Sequence, residues 1–165
     1  MAVDTYTPLF SEVLDKVAKL KTKNEKIEHL RKYNNDSLRM IIKSSFDPKI
    51  EWELPEGDVP YTKNDAPEGT EHNILAHEAR KLYHFIKGGN PQITQNKREA
   101  MFVQRLEGLH EDEAKLLVAA KDKKLHQVYK GLSANVVKTA FNWTDEYMVE
   151  EVEYPQGSRA ASFPD

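Results

Sequence analysis

Apolar residues recur at spacings of three and four along most of this chain, which is the pattern of an α-helix that buries one face. The repeat is densest in residues 113–143, where it runs through Leu116, Leu117, Val128, Val137 and Phe141. The sequence therefore predicts an all-α fold, a single compact domain of about seven or eight helices over residues 7–143.

Helix starts are marked by side chains that accept hydrogen bonds from main-chain amides. Asn24, Asp36, Thr94 and Ser133 each stand before an apolar repeat and are the expected N-caps. A further helix is expected from about residue 73, with the glycine pair at Gly88 and Gly89 as its stop.

Two segments break the helical pattern. Residues 47–72 hold four prolines and two glycines, so we expect a long irregular acidic loop with a short extended piece near residues 50–54. Trp52 and Tyr61 are expected to attach this loop to the core. Residues 144–165 carry one arginine against six acids, and we expect an acidic, disordered tail.

The net charge of −3 conceals an uneven distribution. Residues 16–49 carry ten Lys/Arg against four Asp/Glu, and residues 81–138 carry eleven against six. Residues 51–78, in contrast, carry one lysine against eight acids. Such asymmetry is typical of a surface that binds a polyanion, although lysines also cover ordinary solvent-exposed helix faces.

Several classes of protein are disfavoured by composition. The chain has no cysteine, which removes disulfides and thiolate chemistry and fits a reducing compartment. It has no apolar run of the roughly 18 residues that span a bilayer, and its start has no basic and apolar signal pattern. We therefore expect a cytoplasmic protein without a membrane partner.

No motif indicates catalysis or a cofactor. His72, His77 and His84 are near one another, but two of them seven apart on a helix would be about 10 Å apart, too far for one zinc ion. The chain has no Gly-x-Ser-x-Gly nucleophile turn and no phosphate-binding glycine loop. We expect no enzyme activity, no metal and no cofactor.

The strongest candidate site is a lysine-rich stretch that contains a helix start. Gly131 and Ser133 precede the last helix, whose first amides and positive dipole end can bind a phosphate. Exposed aromatics for base stacking are not evident, so backbone binding of duplex DNA is favoured over single-strand binding. An ordinary capped helix is the alternative. The candidate DNA-binding residues are Lys121, Lys123, Lys124, Lys130, Gly131, Ser133, Asn135 and Lys138.

The order of these elements resembles the N-terminal all-helical DNA-binding domain of ATP-dependent DNA ligases, especially those of T4-like phages. The local likeness runs from Leu116-Leu117-Val118 and Lys121-Asp122 to Gly131, Ser133 and Phe141-Asn142-Trp143. The resemblance implies that the Gly131–Ser133 turn and Asn135 lie against a DNA backbone. The spacing between Asp122 and Gly131 is longer here, and the Lys-x-Asp-Gly motif of self-adenylation is absent. The chain also resembles small uncharacterised proteins of T4-like phages, notably cyanophages.

The sequence thus predicts a non-enzymatic accessory protein that binds duplex DNA without sequence preference, in phage DNA replication or repair. The alternative is an adaptor that binds a phage or host replication or transcription protein through the acidic loop and the tail.

Overall fold

The apolar repeats fold as helices in the computed structural model, which describes residues 8–62 and 74–147. Within these residues there are eight α-helices, one 3₁₀ helix and no strand. The expected all-α fold is confirmed. Residues 63–72 of the predicted loop and 148–165 of the predicted tail lie outside the described residues. The helices are α1 (Phe10–Lys19), α2 (Lys23–Lys32), α3 (Asp36–Phe46), α4 (Leu75–Glu78), the 3₁₀ helix (Ala79–Phe85), α5 (Gln95–Glu107), α6 (Glu111–Lys121), α7 (Leu125–Val128) and α8 (Ala134–Phe141).

Two of the four expected N-caps are confirmed. The Thr94 hydroxyl accepts from the Lys97 amide at 3.1 Å, and the Ser133 hydroxyl accepts from the Val136 amide at 3.2 Å. Both helices therefore begin where the sequence placed them.

The other two expected caps are wrong by one or two residues. Thr22, rather than Asn24, caps α2, because its hydroxyl accepts from the Glu25 amide while Glu25 accepts from the Thr22 amide, each at 3.1 Å. This reciprocal pair satisfies two amides at once, so it starts the helix earlier than a lone Asn24 would. Asn35, rather than Asp36, caps α3 by accepting from the Leu38 amide at 2.8 Å.

The helix expected from residue 73 is shorter and tighter than a regular α-helix. A single α-helical turn, α4, passes into the 3₁₀ helix, and Ile86 then adopts an extended conformation. Ile86 pairs with Trp52 in an isolated antiparallel bridge, so the extended piece expected near residues 50–54 is found only at its centre, and residues 53 and 54 form a bend. A Cβ on Gly89 would lie 2.0 Å from the Tyr83 carbonyl oxygen, so only glycine fits this turn.

The described part of the loop is attached to the core as expected. The Trp52 indole donates to the Ser44 carbonyl at 3.0 Å, and its ring meets Phe102 edge-on at 6.3 Å. Tyr61 is partly buried against the core as well.

A buried carboxylate joins three helices. Glu113, on α6, is 1% exposed and accepts from the amide of Leu75 at 2.8 Å and the amide of Phe10 at 3.1 Å. These amides begin α4 and α1, where intrahelical acceptors are missing and a negative charge is favoured. The core side of α6 is thereby tied to two helix N-termini.

Helices α2 and α8 pack against each other, and contacts near both ends show that they run in the same direction. The Lys26 side chain lies beside Gly131, just before α8, since a Cβ on Gly131 would be 2.8 Å from Lys26 Cε. Arg31, further along α2, donates to the carbonyl oxygens of Thr139 and Ala140 near the end of α8, at 2.8 and 3.1 Å. The starts of both helices therefore lie at one edge of the domain.

The core continues past the expected domain end at residue 143. Tyr147 is 7% exposed and meets Trp143 edge-on at 6.0 Å. No helix in the described ranges has the length and apolar character to cross a membrane.

Candidate nucleic-acid interface

Lys121 must be removed from the candidate DNA contacts. It is 4% exposed, and its ammonium donates to the carbonyl oxygens of Pro55 and Gly57 and to the Asp122 carboxylate, at 2.6, 3.1 and 2.5 Å. A lysine ammonium has three donors, and all three are used here. Lys121 holds the acidic loop to α6 and does not face solvent.

Lys123 and Lys124 also contact the loop. Lys123 has a left-handed backbone with φ of 59°, and its ammonium donates to the Asp47 carbonyl oxygen. Burial lowers the pKa of Lys123 below its usual value, which the nearby carboxylates oppose. Lys124 is exposed and forms an ion pair with Glu56 at 3.4 Å.

Lys138 binds the segment that follows α8. Its ammonium lies 3.0 Å from the Asp145 carboxylate and 5.4 Å from the centroid of the Tyr147 ring. The hydrogen bond to Asp145 raises the pKa of Lys138. Four of the predicted DNA-binding lysines therefore contact acidic or main-chain groups of the protein itself.

The remaining predicted residues come together at the start of α8. Lys130, Gly131, Ser133 and Asn135 are all exposed. Lys130 forms no hydrogen bond or ion pair with any residue in the described ranges. Gly131 has a φ of +95°, a conformation that favours glycine and that turns the chain into the Ser133 cap.

Two further lysines belong to this edge and were missed as site residues. Lys21 and Lys23 flank the Thr22 cap of α2 and are exposed. Because α2 and α8 run in the same direction, these lysines lie at the same end of the helix pair as the start of α8. The excess of basic residues in 16–49 could have indicated these lysines in the sequence. Only the packing of α2 against α8, however, places them at the same edge as Lys130. Lys26 is less exposed and donates to the Val17 carbonyl oxygen at 3.1 Å.

An open groove of about 400 Å³ lies beside the start of α8. Phe46, His126 and residues 131–134 line this groove, and the ring centroids of Phe46 and His126 are 6.2 Å apart. Apolar surface and main-chain amides of a helix start thus meet in one place.

Within residues 8–62 and 74–147, no three His, Asp or Glu side chains are grouped so that they could hold a metal ion. His72 lies outside these ranges. His84 instead takes part in a structural contact, with its Nδ1 2.9 Å from the side-chain amide nitrogen of Asn90.

Comparison with known proteins gives one match. Residues 13–127 match the sequence model described as "Family of unknown function (DUF6433)", a range that ends before Lys130 and the start of α8. No curated protein and no solved structure matches the chain. Because the matched range covers more than half of its length, the chain belongs to the DUF6433 family.

Proposed function

We propose that the protein binds duplex DNA through backbone phosphates at the edge where α2 and α8 begin. This α2–α8 edge comprises Lys21, Lys23, Lys130, Ser133 and Asn135. The observation that carries the proposal is the shared direction of the two helices, which brings two lysine-bearing helix starts to one end of the domain. Spaced cations on a rigid edge suit successive phosphates of a duplex.

The start of α8 is electrostatically different from the starts of α1, α2, α3 and α6. Each of those four helices has an acid in its first turn, whereas α8, like α5, has none. An acid in the first turn partly neutralises the positive end of the helix dipole. At α8 that positive end remains, beside the exposed Lys130, which favours an external anion.

The surface favours duplex DNA over single strands. Among the described residues, the exposed large hydrophobic side chains are Met40, Tyr83 and Val128, and only one of them is aromatic. Base stacking on protein aromatics, which dominates single-strand binding, therefore has little support. The resemblance to the helical DNA-binding domain of ligases supports the same role for Gly131, Ser133 and Asn135, and an accessory part in phage replication or repair.

The experiment is a duplex titration, followed by fluorescence anisotropy, at about 50 and 200 mM salt. The triple variant K21Q/K23Q/K130Q should bind more weakly. The slope of the logarithm of its association constant against the logarithm of the salt concentration should become shallower by roughly 0.9 for each phosphate that is no longer neutralised. The matched control K81Q/K87Q/K97Q removes three exposed lysines elsewhere and should bind as the parent does. Equally weakened binding in both variants, or binding that ignores salt, would refute the proposal.

The adaptor alternative has weaker support in the described residues. The acidic loop that would bind the partner is held against the domain at Gly57. The Gly57 amide donates to the Asp122 carboxylate at 3.1 Å, and its carbonyl oxygen accepts from Lys121. The tail peptide of this alternative, Val-Glu-Glu-Val-Glu-Tyr-Pro at residues 149–155, lies outside the described ranges. A pulldown with residues 144–165 on a carrier tests this alternative, because capture of a replication or transcription protein would support it.

A further inference from the structure

We propose that residues 148–154, Met-Val-Glu-Glu-Val-Glu-Tyr, dock in the groove between Phe46, His126 and residues 131–134. The docked segment would occupy the start of α8 and compete with DNA there. The docking stands on the groove itself, and only the competition with DNA rests on the proposed function.

The described chain ends at the rim of this groove. Tyr147, its last residue, stacks on Phe46 with ring centroids 6.5 Å apart and an interplanar angle of 29°. Phe46 itself lines the groove. The contacts of Lys138 with Asp145 and with the Tyr147 ring hold this exit point in place. Because Tyr147 contacts a residue of the groove, a short loop suffices to bring the following segment to it, and the entropic cost is small.

The chemistry of the segment matches that of the groove. Met148, Val149, Val152 and Tyr154 are apolar or aromatic, as is the half-buried Phe46 in the groove, whereas Leu132 is fully buried. The three glutamates of the segment, at 150, 151 and 153, match the positive start of α8 and the exposed Lys130.

The segment is also long enough. Seven residues span up to about 23 Å when extended, at roughly 3.3 Å per residue. The volume of this open groove, about 400 Å³, falls within the range of small-molecule pockets. A docked glutamate would take the place of a DNA phosphate at the amides of α8.

The docking is tested by NMR on the full-length chain. The variant E150Q/E151Q/E153Q should shift the amide signals of His126 and residues 131–134. The matched control D15N/E51Q/E107Q removes three exposed carboxylates elsewhere and should leave those signals unchanged. A photocrosslinker in place of Tyr154 should couple within one molecule to residues 126–134.

The outcomes separate docking from DNA binding. Unchanged groove signals, or crosslinks to other surfaces, would overturn the docking. Crosslinks between molecules that increase with protein concentration would overturn it in favour of a second copy as the occupant. If the segment occupies the groove in about 70–90% of molecules, the tail variant should bind duplex about three- to tenfold more tightly. Shifted groove signals without any duplex binding would leave the docking standing and refute the DNA proposal.

Discussion

Substitution of Asn135 by aspartate separates a binding role of the α8 start from a purely structural one. Asn135 is the second residue of α8 after the Ser133 cap, and it is exposed. Asn96 holds the same place in α5 after the Thr94 cap, is also exposed, and likewise has no acid in its first turn. Each substitution is isosteric and adds one negative charge at a helix N-terminus. Both variants should therefore gain about 0.3–1 kcal/mol in the free energy of unfolding.

The effect on binding should differ between the two variants. A phosphate bound at the amides of α8 would lie roughly 6 Å from the new carboxylate of N135D. With an effective dielectric constant of about 40–80, the repulsion is about 0.7–1.4 kcal/mol. This separation is shorter than the Debye length of about 8 Å at physiological salt, so screening is incomplete. The duplex affinity of N135D should fall about three- to tenfold, while that of N96D stays unchanged.

The assay pairs a duplex titration by anisotropy with chemical unfolding of the same preparations. Binding that weakens while stability rises cannot result from partial unfolding. Equal duplex affinity for N135D and N96D would show that the start of α8 does not contact DNA.

Four further predictions concern the core and the turns. Glu113→Ala leaves two buried main-chain amides without their acceptor and should lower the free energy of unfolding by about 2–5 kcal/mol in urea titrations. Lys121→Met removes the donor to two loop carbonyls and a carboxylate and should cost about 2–4 kcal/mol, yet duplex affinity of the folded variant should not change. Gly131→Ala places a side chain at a φ of +95° and should cost about 1–2 kcal/mol, checked by thermal unfolding. Burial, with a nearby arginine, holds the pKa of His84 below its usual value of about 6.5, so an NMR titration should find it there. Because the unfolded chain takes up this proton more readily, the stability that His84 contributes above about pH 6.5 should be lost as the pH falls, and H84Q should reduce that loss.

The helical fold could be predicted because apolar spacing of three and four is a local property of the sequence. The 3₁₀ helix could not, since Ile86 leaves the helix to pair with Trp52, more than thirty residues earlier in the chain. Cap positions were missed by one or two residues where neighbouring polar side chains compete. At α2 the reciprocal bond between Thr22 and Glu25 decides the outcome.

The candidate site could be predicted only in part, because contacts between residues distant in the chain decide which lysines are exposed. Lys121 and Lys130 look alike in sequence, both lying in one lysine-rich stretch. Lys121 is buried because the loop near Gly57 folds over it, whereas Lys130 lies on an exposed turn. The addition of Lys21 and Lys23 to the edge depends on the packing of α2 against α8, and no local pattern encodes that packing.

The carboxylate of Glu113 has a consequence for how the domain opens. It binds residues 103 and 38 positions away along the chain, so the starts of α1 and α4 share one acceptor group. If either helix start separates, a buried negative charge loses part of its solvation, which weakens the remaining attachment. Local opening of α1 should therefore promote opening of α4. Hydrogen exchange at the amides of Phe10 and Leu75 should then proceed through one common event, with similar protection for both.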